Sequence, residues 1–409
     1  MARVLVVGGG PTGSYFAHLL ARSAPVLCAA TTLWEKSANA GRFASHTPRA
    51  PQPPLVSDLG AQYFTASPTC PSTSAALAEL RGAGVVGPPL PRGSIVGLRA
   101  PHDSGEHFAG GAGGAAGVVR HWLSSAASGG CAVSTSTRLV ALDAAPDGGG
   151  WVARGEGAGG APASVAAASA VVLAVPLPQL LQLEGVVASA LELSGVAAAL
   201  SSAAYSSRAV LVLSFAPTGG AREWFSARLP WAARFVGEGD PGCGAVRYVA
   251  QSARMRALGG AGGAEGAAPV DFVFHSTVTL GDAAVAAGGM AGGGGGDAAA
   301  AWRVSLRTAA LAVLEAAAGE APPFPVAAER FHVWKFSQLT RPPAAVASGT
   351  RNGWEVLAAP GGGALLLRAE GGGAPLILAG DGFTESNFSG CVRSAEAALS
   401  LLDSALKAK

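Results

Sequence analysis

The stretch Val4-Leu5-Val6-Val7-Gly8-Gly9-Gly10-Pro11-Thr12-Gly13 decides the fold of this chain. Four aliphatic residues in a row, three of them β-branched, read as a strand buried on both faces. Gly8, Gly10 and Gly13 follow in the spacing G-x-G-x-x-G, and 14–22 continues as a helix that stops before Pro25. Gly8 permits the tight turn, Gly10 lets the backbone approach a pyrophosphate, and Gly13 lets helix and strand pack closely. The start of the helix offers free N–H groups and the positive end of its dipole to phosphates. A second strand over 31–36 carries Glu35 near its end, 22 residues after Gly13. A carboxylate there accepts hydrogen bonds from ribose hydroxyls. Strand, turn, helix, strand and acid together make a dinucleotide-binding βαβ unit over 4–42.

Two further motifs extend the site. Gly41-Arg42 follows the second strand and suits a guanidinium near cofactor phosphates, or else a surface arginine. Near the other end, Leu376-Ile377-Leu378-Ala379 reads as a buried strand that runs into Gly380-Asp381-Gly382-Phe383 and then a helix over 391–402. Asp381 can accept a hydrogen bond from a ribityl hydroxyl. The helix start can point its dipole at the electron-rich end of a reduced flavin. A C-terminal strand–Gly-Asp–turn–helix paired with an N-terminal fingerprint indicates FAD rather than NAD.

The length of 409 residues predicts two or three domains, and 49% hydrophobic against 13% charged residues supplies sizeable cores. A net charge of +2 without a basic block argues against nucleic acid as a partner. The apolar run 163–183 reaches membrane-spanning length, but Pro176, Pro178, Gln179 and Gln182 break its second half, so 171–175 reads as a buried strand with a Pro-rich exit. Five scattered cysteines without C-x-x-C, and seven histidines without H-x-x-x-H, give neither a disulfide framework nor a metal site. With strand residues by Val4, no room is left for a leader, and the expected compartment is cytoplasmic, with an organellar form open.

Between the motifs, 75–80 and 118–123 read as helices, and 82–117 as a Gly/Pro-rich segment with strand-like pieces around 95–98. The segments 131–133, 139–142 and 151–153 read as a β-meander, and 186–204 as one amphipathic helix. Strands over 209–215, 245–250 and 272–279 predict an antiparallel sheet in a second domain, followed by a helix over 301–318. The Pro-rich stretch 48–54 reads as loop, and the Ala/Gly tracts 259–268 and 283–300 as mobile surface insertions.

With these residues in view, the chain resembles the renalase family, a branch of the flavin amine-oxidase superfamily. The matching segments are 4–13, 33–36, Asp58-Leu59-Gly60-Ala61-Gln62-Tyr63, 176–185, Tyr205-Ser206-Ser207-Arg208, 334–338 and 380–391. They run in the family's order along nearly the whole chain. The family's Gly-Gly-Arg is Ala40-Gly41-Arg42 here, and the Ala/Gly insertions have no family counterpart.

The resemblance implies an FAD-binding Rossmann-type (p-hydroxybenzoate hydroxylase-like) domain, α/β in class, interleaved with an α+β substrate domain of antiparallel sheet and helices. The cofactor domain takes 1–70, 118–185 and 336–409; the substrate domain takes 71–117 and 186–335. It also implies a non-covalent FAD shell. Thr12 and Arg42 face the phosphates, Glu35 and the adjoining Lys36 lie at the adenosine end, and Val133 lies near the adenine. Gln62 and Tyr63 approach the flavin, and Asp381, Gly382 and Phe383 line the ribityl chain and the ring.

The implied reaction is oxidation of dihydronicotinamide dinucleotide isomers reduced at ring carbon 2 or 6, with O2 as acceptor and NAD(P)+ and hydrogen peroxide as products. The sparse set of chemical residues suits it, because a dihydropyridine aromatises as it loses hydride and no base need remove a proton. Tyr63, Tyr205, His275 and Trp334 are the expected catalytic side chains, with Arg208 and Gln338 as further substrate contacts; core packing or structural hydrogen bonding is the alternative for each. A conventional amine oxidase, a desaturase of the same superfamily and a non-catalytic FAD-binding protein stand as other functions. The expected assembly is a monomer or weak dimer, with no membrane partner.

Overall fold

The computed structural model describes residues 2–38, 41–47, 56–66, 70–98, 105–146, 149–217, 219–260, 269–289 and 297–407. In chain order, the elements that build the cofactor side are β1 (Val4–Val7), α1 (Pro11–Ser23), β2 (Thr31–Trp34), α2 (Gly114–Ser128), β3 (Ala132–Ser134) and β4 (Ala170–Leu173). The strands of the second sheet follow as β5 (Ala204–Phe215), β6 (Val246–Gln251), β7 (Val270–Ser276) and β8 (Val326–Arg341). β9 (Leu376–Ala379) and α3 (Phe388–Lys407) return to the cofactor side.

β9, β4, β1, β2 and β3 form a parallel sheet in that order. All four residues of β1, β4 and β9 are buried, as expected of strands covered on both faces. One face packs against α1, α2 and α3. On α3, Val392, Ala395, Ala398, Leu402 and Ala405 are buried in the periodicity of a single helix stripe. The other face is covered by a meander of Arg138–Ala144, Trp151–Glu156 and Pro162–Ala168, and by the short helices that follow it. Three antiparallel strands, Gly349–Arg351, Trp354–Ala358 and Ala364–Ala369, extend the sheet beyond β9.

The second sheet runs β8, β5, β7, β6, Ala233–Phe235 and Ile95–Val96. Its outer face packs on the helices Ala221–Arg228 and Asp297–Ala318 through Leu211, Leu213, Phe272 and Phe274. Its inner face turns Val210, Val212 and Val273 toward Leu59, with Trp334 against them. The fold is therefore a Rossmann-type α/β unit joined to an antiparallel-sheet unit, as the sequence predicts.

Several elements differ from expectation. β3, at the expected position of the first meander strand, instead extends the parallel sheet beside β2, with Val133 opposite Leu33. The expected helix over 186–204 is two helices, Val186–Leu193 and Val196–Ser201, interrupted where Gly195 takes φ +76°. β7 ends at Ser276, because Thr277 accepts the Leu280 N–H and starts a helix over Val278–Ala286. That helix takes up the first part of the 283–300 tract and buries Ala284, so these residues are core rather than mobile insertion. Likewise Gly259 packs backbone to backbone against Gly110, whereas 261–268 and 290–296 lie outside the described residues, as do 48–55. The expected limits after 117 and after 335 fall inside α2 and inside the 16-residue β8. Among the described residues, no helix is long and apolar enough to cross a membrane.

Candidate functional site

The fingerprint turn is built as its glycines require. Gly8 sits at φ +103°, and a side chain on it or on Gly13 would collide with the Ala174 or Gly8 carbonyl oxygen. Gly10 is different: a β-carbon there meets nothing within 4 Å. Pro11 starts α1, and the Thr12 and Gly13 N–H groups lie in the first turn, where no intrahelical acceptor exists. Open space over Gly10 beside free donors fits a diphosphate.

Glu35 is buried and already engaged. One carboxylate oxygen accepts the Gly9 N–H at 2.7 Å, and the other accepts the Ser37 N–H and hydroxyl at 2.8 and 2.7 Å. The acid therefore fixes the glycine turn. Val133 is partly buried beside β2, and Lys36 is exposed.

Gly41 brings the next loop to 3.6 Å from Gly10 as measured from its would-be β-carbon. Arg42 then reaches across the molecule. Its guanidinium forms a two-pronged ion pair with Asp381, with Nη1 at 2.6 Å from one carboxylate oxygen. It also donates to the Ser386 hydroxyl and the Ser337 carbonyl, both at 3.3 Å. The residues expected on phosphates and on the ribityl chain are thus joined to each other. Burial opposes ionisation of Asp381, but the Arg42 charge and hydrogen bonds from Arg42 and Ser386 outweigh it and hold the carboxyl below its usual range. Cys391 lies against this pair and Thr12, and burial pushes its thiol up to about 12. Gly382 is closed over by Leu177 and by the Tyr205 hydroxyl, 2.9 Å from where its β-carbon would be. Phe383 packs on the same side. Burial first, and then Asp381, push Tyr205 up to about 12.

The segment Asp58–Tyr63 bridges the two units. Asp58 is fully buried, accepts the Ala115 N–H at the start of α2 and pairs with Arg256 of the antiparallel-sheet unit. Such a buried pair anchors an interface, since removing one partner leaves an uncompensated charge. Gln62 donates to the Asp58 carbonyl and stands 3.4 Å from His275 Nε2. Trp334 donates its indole N–H to the Leu59 carbonyl at 2.8 Å and packs edge-on against His332. Tyr63 packs edge-on against His107, and burial pushes its hydroxyl up to about 12. Burial, with Arg208 and His332 nearby, pushes His275 down to about 3.

The structure therefore brings Gln62, His275 and Trp334 together where Asp58–Tyr63 meets the second sheet, and places Tyr205 beside Gly382. Gln338 is exposed, and Trp334 braces the Leu59 carbonyl. Sequence reasoning does not mark Ser386, Ser337 or Arg256 as site residues; the first two lie within the matching segments 380–391 and 334–338, and only Arg256 has no signal but its tertiary position. Among the described residues, no three His, Cys, Asp or Glu side chains gather as a metal-holding group.

Fold and site define an α/β chain with a dinucleotide-binding unit and a separate antiparallel sheet. Residues 6–80 match the family described as NAD(P)-binding Rossmann-like domain. The structure is similar to cyclohexylamine oxidase from Brevibacterium oxydans IH-35A, with a TM-score of 0.56 and 12% identity over 99% of each chain. It also aligns with p-nitrophenol 4-monooxygenase PnpA from Pseudomonas putida DLL-E4, with a TM-score of 0.49 and 15% identity over 100% of this chain and 81% of that one. Together, the family match and the glycine turn support a dinucleotide cofactor.

Proposed function

We propose that this chain is an FAD-dependent oxidase of dihydronicotinamide dinucleotides reduced at ring carbon 2 or 6. In this reading the substrate gives up a hydride and becomes NAD(P)+, and O2 with that hydride and one proton becomes hydrogen peroxide. FAD, when bound, supplies the two-electron acceptor that O2 reoxidises. Thr12 and Arg42 would hold its phosphates, Glu35 and Lys36 its adenosine ribose end, and Val133 its adenine. Gln62, Tyr63, Asp381, Gly382 and Phe383 would hold the ribityl and ring end. Residues 1–70, 118–185 and 336–409 would form the cofactor domain, and 71–117 with 186–335 the substrate domain. We place the protein as a monomer or weak dimer in a reducing compartment such as the cytoplasm, which its five free cysteines fit.

The observation that carries this reading is the burial of the candidate side chains Tyr63, Tyr205 and His275 away from any charged partner that would prime them as a base. His275 is pushed down to about 3, and Tyr63 and Tyr205 up to about 12, in each case by burial first. At neutral pH these three side chains are uncharged and poorly matched to taking up a substrate proton. A reaction that asks the protein only to orient a ring that aromatises on losing hydride suits such a face. The likeness to cyclohexylamine oxidase favours an amine as the second choice of substrate. Stopped-flow flavin reduction, with each compound at equal concentration, decides. The isomers reduced at carbon 2 or 6 should bleach the flavin rapidly, and ordinary NADH, cyclohexylamine and catecholamines slowly or not at all. Equal rates with NADH or an amine would remove the dihydronicotinamide reading.

A further inference from the structure

The inner face of the second sheet carries three arginines that no part of the cofactor shell uses: Arg330, opposite Val212, is exposed, and Arg208 and Arg247 are half-buried. Arg208 lies on β5 two residues before Val210, which pairs with His275 of β7, so Arg208 shares the face of Val210 and Val212. Its partner across β8 is Trp334. Arg247 lies on β6 at a bulge, where the register slips between Val246 and Tyr248, and Tyr248 also pairs with His275. The bulge turns Arg247 onto the inner side, where its guanidinium lies over the Phe235 ring, 5.4 Å from the centroid. β7 alone separates β5 from β6, so the two arginines stand about two strand spacings, roughly 10 Å, apart along the sheet.

Their charges are poorly answered by the protein. Neither is in an ion pair among the described residues; Arg247 donates to the Val236 carbonyl at 3.2 Å. The carboxylate that acts on Arg208 is Asp282, which is exposed and already accepts the Ser207 N–H at 3.2 Å. Burial, and then the charge of Arg247, hold the half-buried Arg208 guanidinium below its ordinary value, as two like charges on one face require. His275 and His332 beside them are pushed down to about 3 and about 4 and are neutral. The end of the face around His275 is thus cationic by its arginines, which repels a protonated amine and attracts an anion, while the carboxylate of the same face, Asp271, lies four residues away along β7 and is buried against Ser57. Guanidinium forks match phosphate oxygens in geometry as well as in charge.

We propose that Arg208 and Arg247 form an anion-binding pair on the inner face of the second sheet that takes the diphosphate of a dinucleotide substrate. The proposal rests on the dinucleotide reading above for the identity of the substrate, and on the sheet geometry for the anion. It assigns Arg247, which no sequence motif marks, a role in specificity. Dinucleotides would be preferred over the mononucleotide with the same dihydropyridine ring, through KM more than through kcat.

The test uses the FAD-loaded protein, in which the glycine turn is filled, with inorganic pyrophosphate and ADP-ribose as probes in titration calorimetry. Wild type should bind both, more weakly as salt rises. R208Q and R247Q should each weaken binding at least tenfold, while R208K and R247K should keep part of it, with flavin content and melting temperature near wild type. Because R247Q also loses its stack on Phe235, the R208Q result and the lysine variants carry the conclusion if R247Q folds poorly. Probe binding that is equal in wild type and R208Q overturns the pair. Oxidation of the isomers by R208Q with unchanged KM also overturns it and leaves the dinucleotide reading standing. Arginine-dependent pyrophosphate binding in a protein that oxidises none of the isomers supports the pair and removes that reading instead.

Discussion

Arg42 and Asp381 stand 339 residues apart in sequence and are joined by a two-pronged ion pair. The pair ties the loop after β2 to the loop after β9, and through Ser337 to β8. It closes the cofactor end of the molecule with the chain's own charges and sets the first expectation.

Replacing Arg42 by Met should strand a buried carboxylate. Breaking one side of such a pair costs on the order of 3–5 kcal/mol. In wild type the Asp381 pKa is depressed, so its contribution is present above the ordinary carboxylate range and is lost as pH falls through the depressed value. Without Arg42, burial raises that pKa, so the variant should lose stability as pH rises from about 4. Urea unfolding of both proteins at pH 5 and pH 8 checks this: the gap should be wider at pH 8, and an equal gap would mean that the pair is not what ionises Asp381.

Two glycines of the same turn should behave in opposite ways. Gly10→Val places its side chain in open space, so the protein should fold with a near-normal melting temperature but purify colourless. Gly13→Ala drives a methyl into the Gly8 carbonyl oxygen and should fail at the level of folding. A yellow Gly10→Val protein would show that no phosphate approaches there.

Glu35→Ala removes an acceptor that orients Gly9 and that, in the proposed reading, would face the ribose. Hydrogen bonds to a charged group contribute roughly 1.5–3 kcal/mol each, so FAD affinity should fall about tenfold or more. Turnover at saturating FAD should stay near wild type. A large loss of turnover there would give Glu35 a different role.

Asp271 is 1% exposed and accepts a hydrogen bond from Ser57 at 2.9 Å; burial pushes its carboxyl up to about 6. A raised acid pKa in the folded state means that stability is full below the unfolded value near 4, falls as pH rises through about 6 and stays reduced above it. The penalty is about 3 kcal/mol at most. Asp271→Asn should therefore be more stable than wild type at pH 8 and no more stable at pH 4, read by urea midpoints.

FAD should be held without a covalent bond. Cys391 is buried with its thiol pushed up to about 12, far from the thiolate that flavin attachment needs. Acid precipitation should leave all the colour in the supernatant, and colour on the pellet would contradict this.

The nucleotide end of the site is legible in the sequence because it is local. Gly8 to Gly13, Glu35 and the β2 strand lie within one supersecondary unit, and each residue type is dictated by a steric or charge requirement of that unit. The inner face of the second sheet is not legible in this way. Arg247 points inward because of a one-residue bulge, and a single-residue slip changes which face a side chain takes. β8, with half of its residues exposed, lacks the apolar run that marks the central strands.

The sequence by itself determined a parallel sheet wrapped by helices, a glycine turn open to phosphate and a second, antiparallel sheet. Alternation, glycine spacing and caps act over a few residues. Only the tertiary structure decided that Arg42 meets Asp381, that Asp58 meets Arg256, and that Arg208 and Arg247 share one face. Those pairings depend on how the two units close on each other, and the closing is driven by burial of Leu59, Val210, Val212 and Val273, a force without direction that no local pattern encodes.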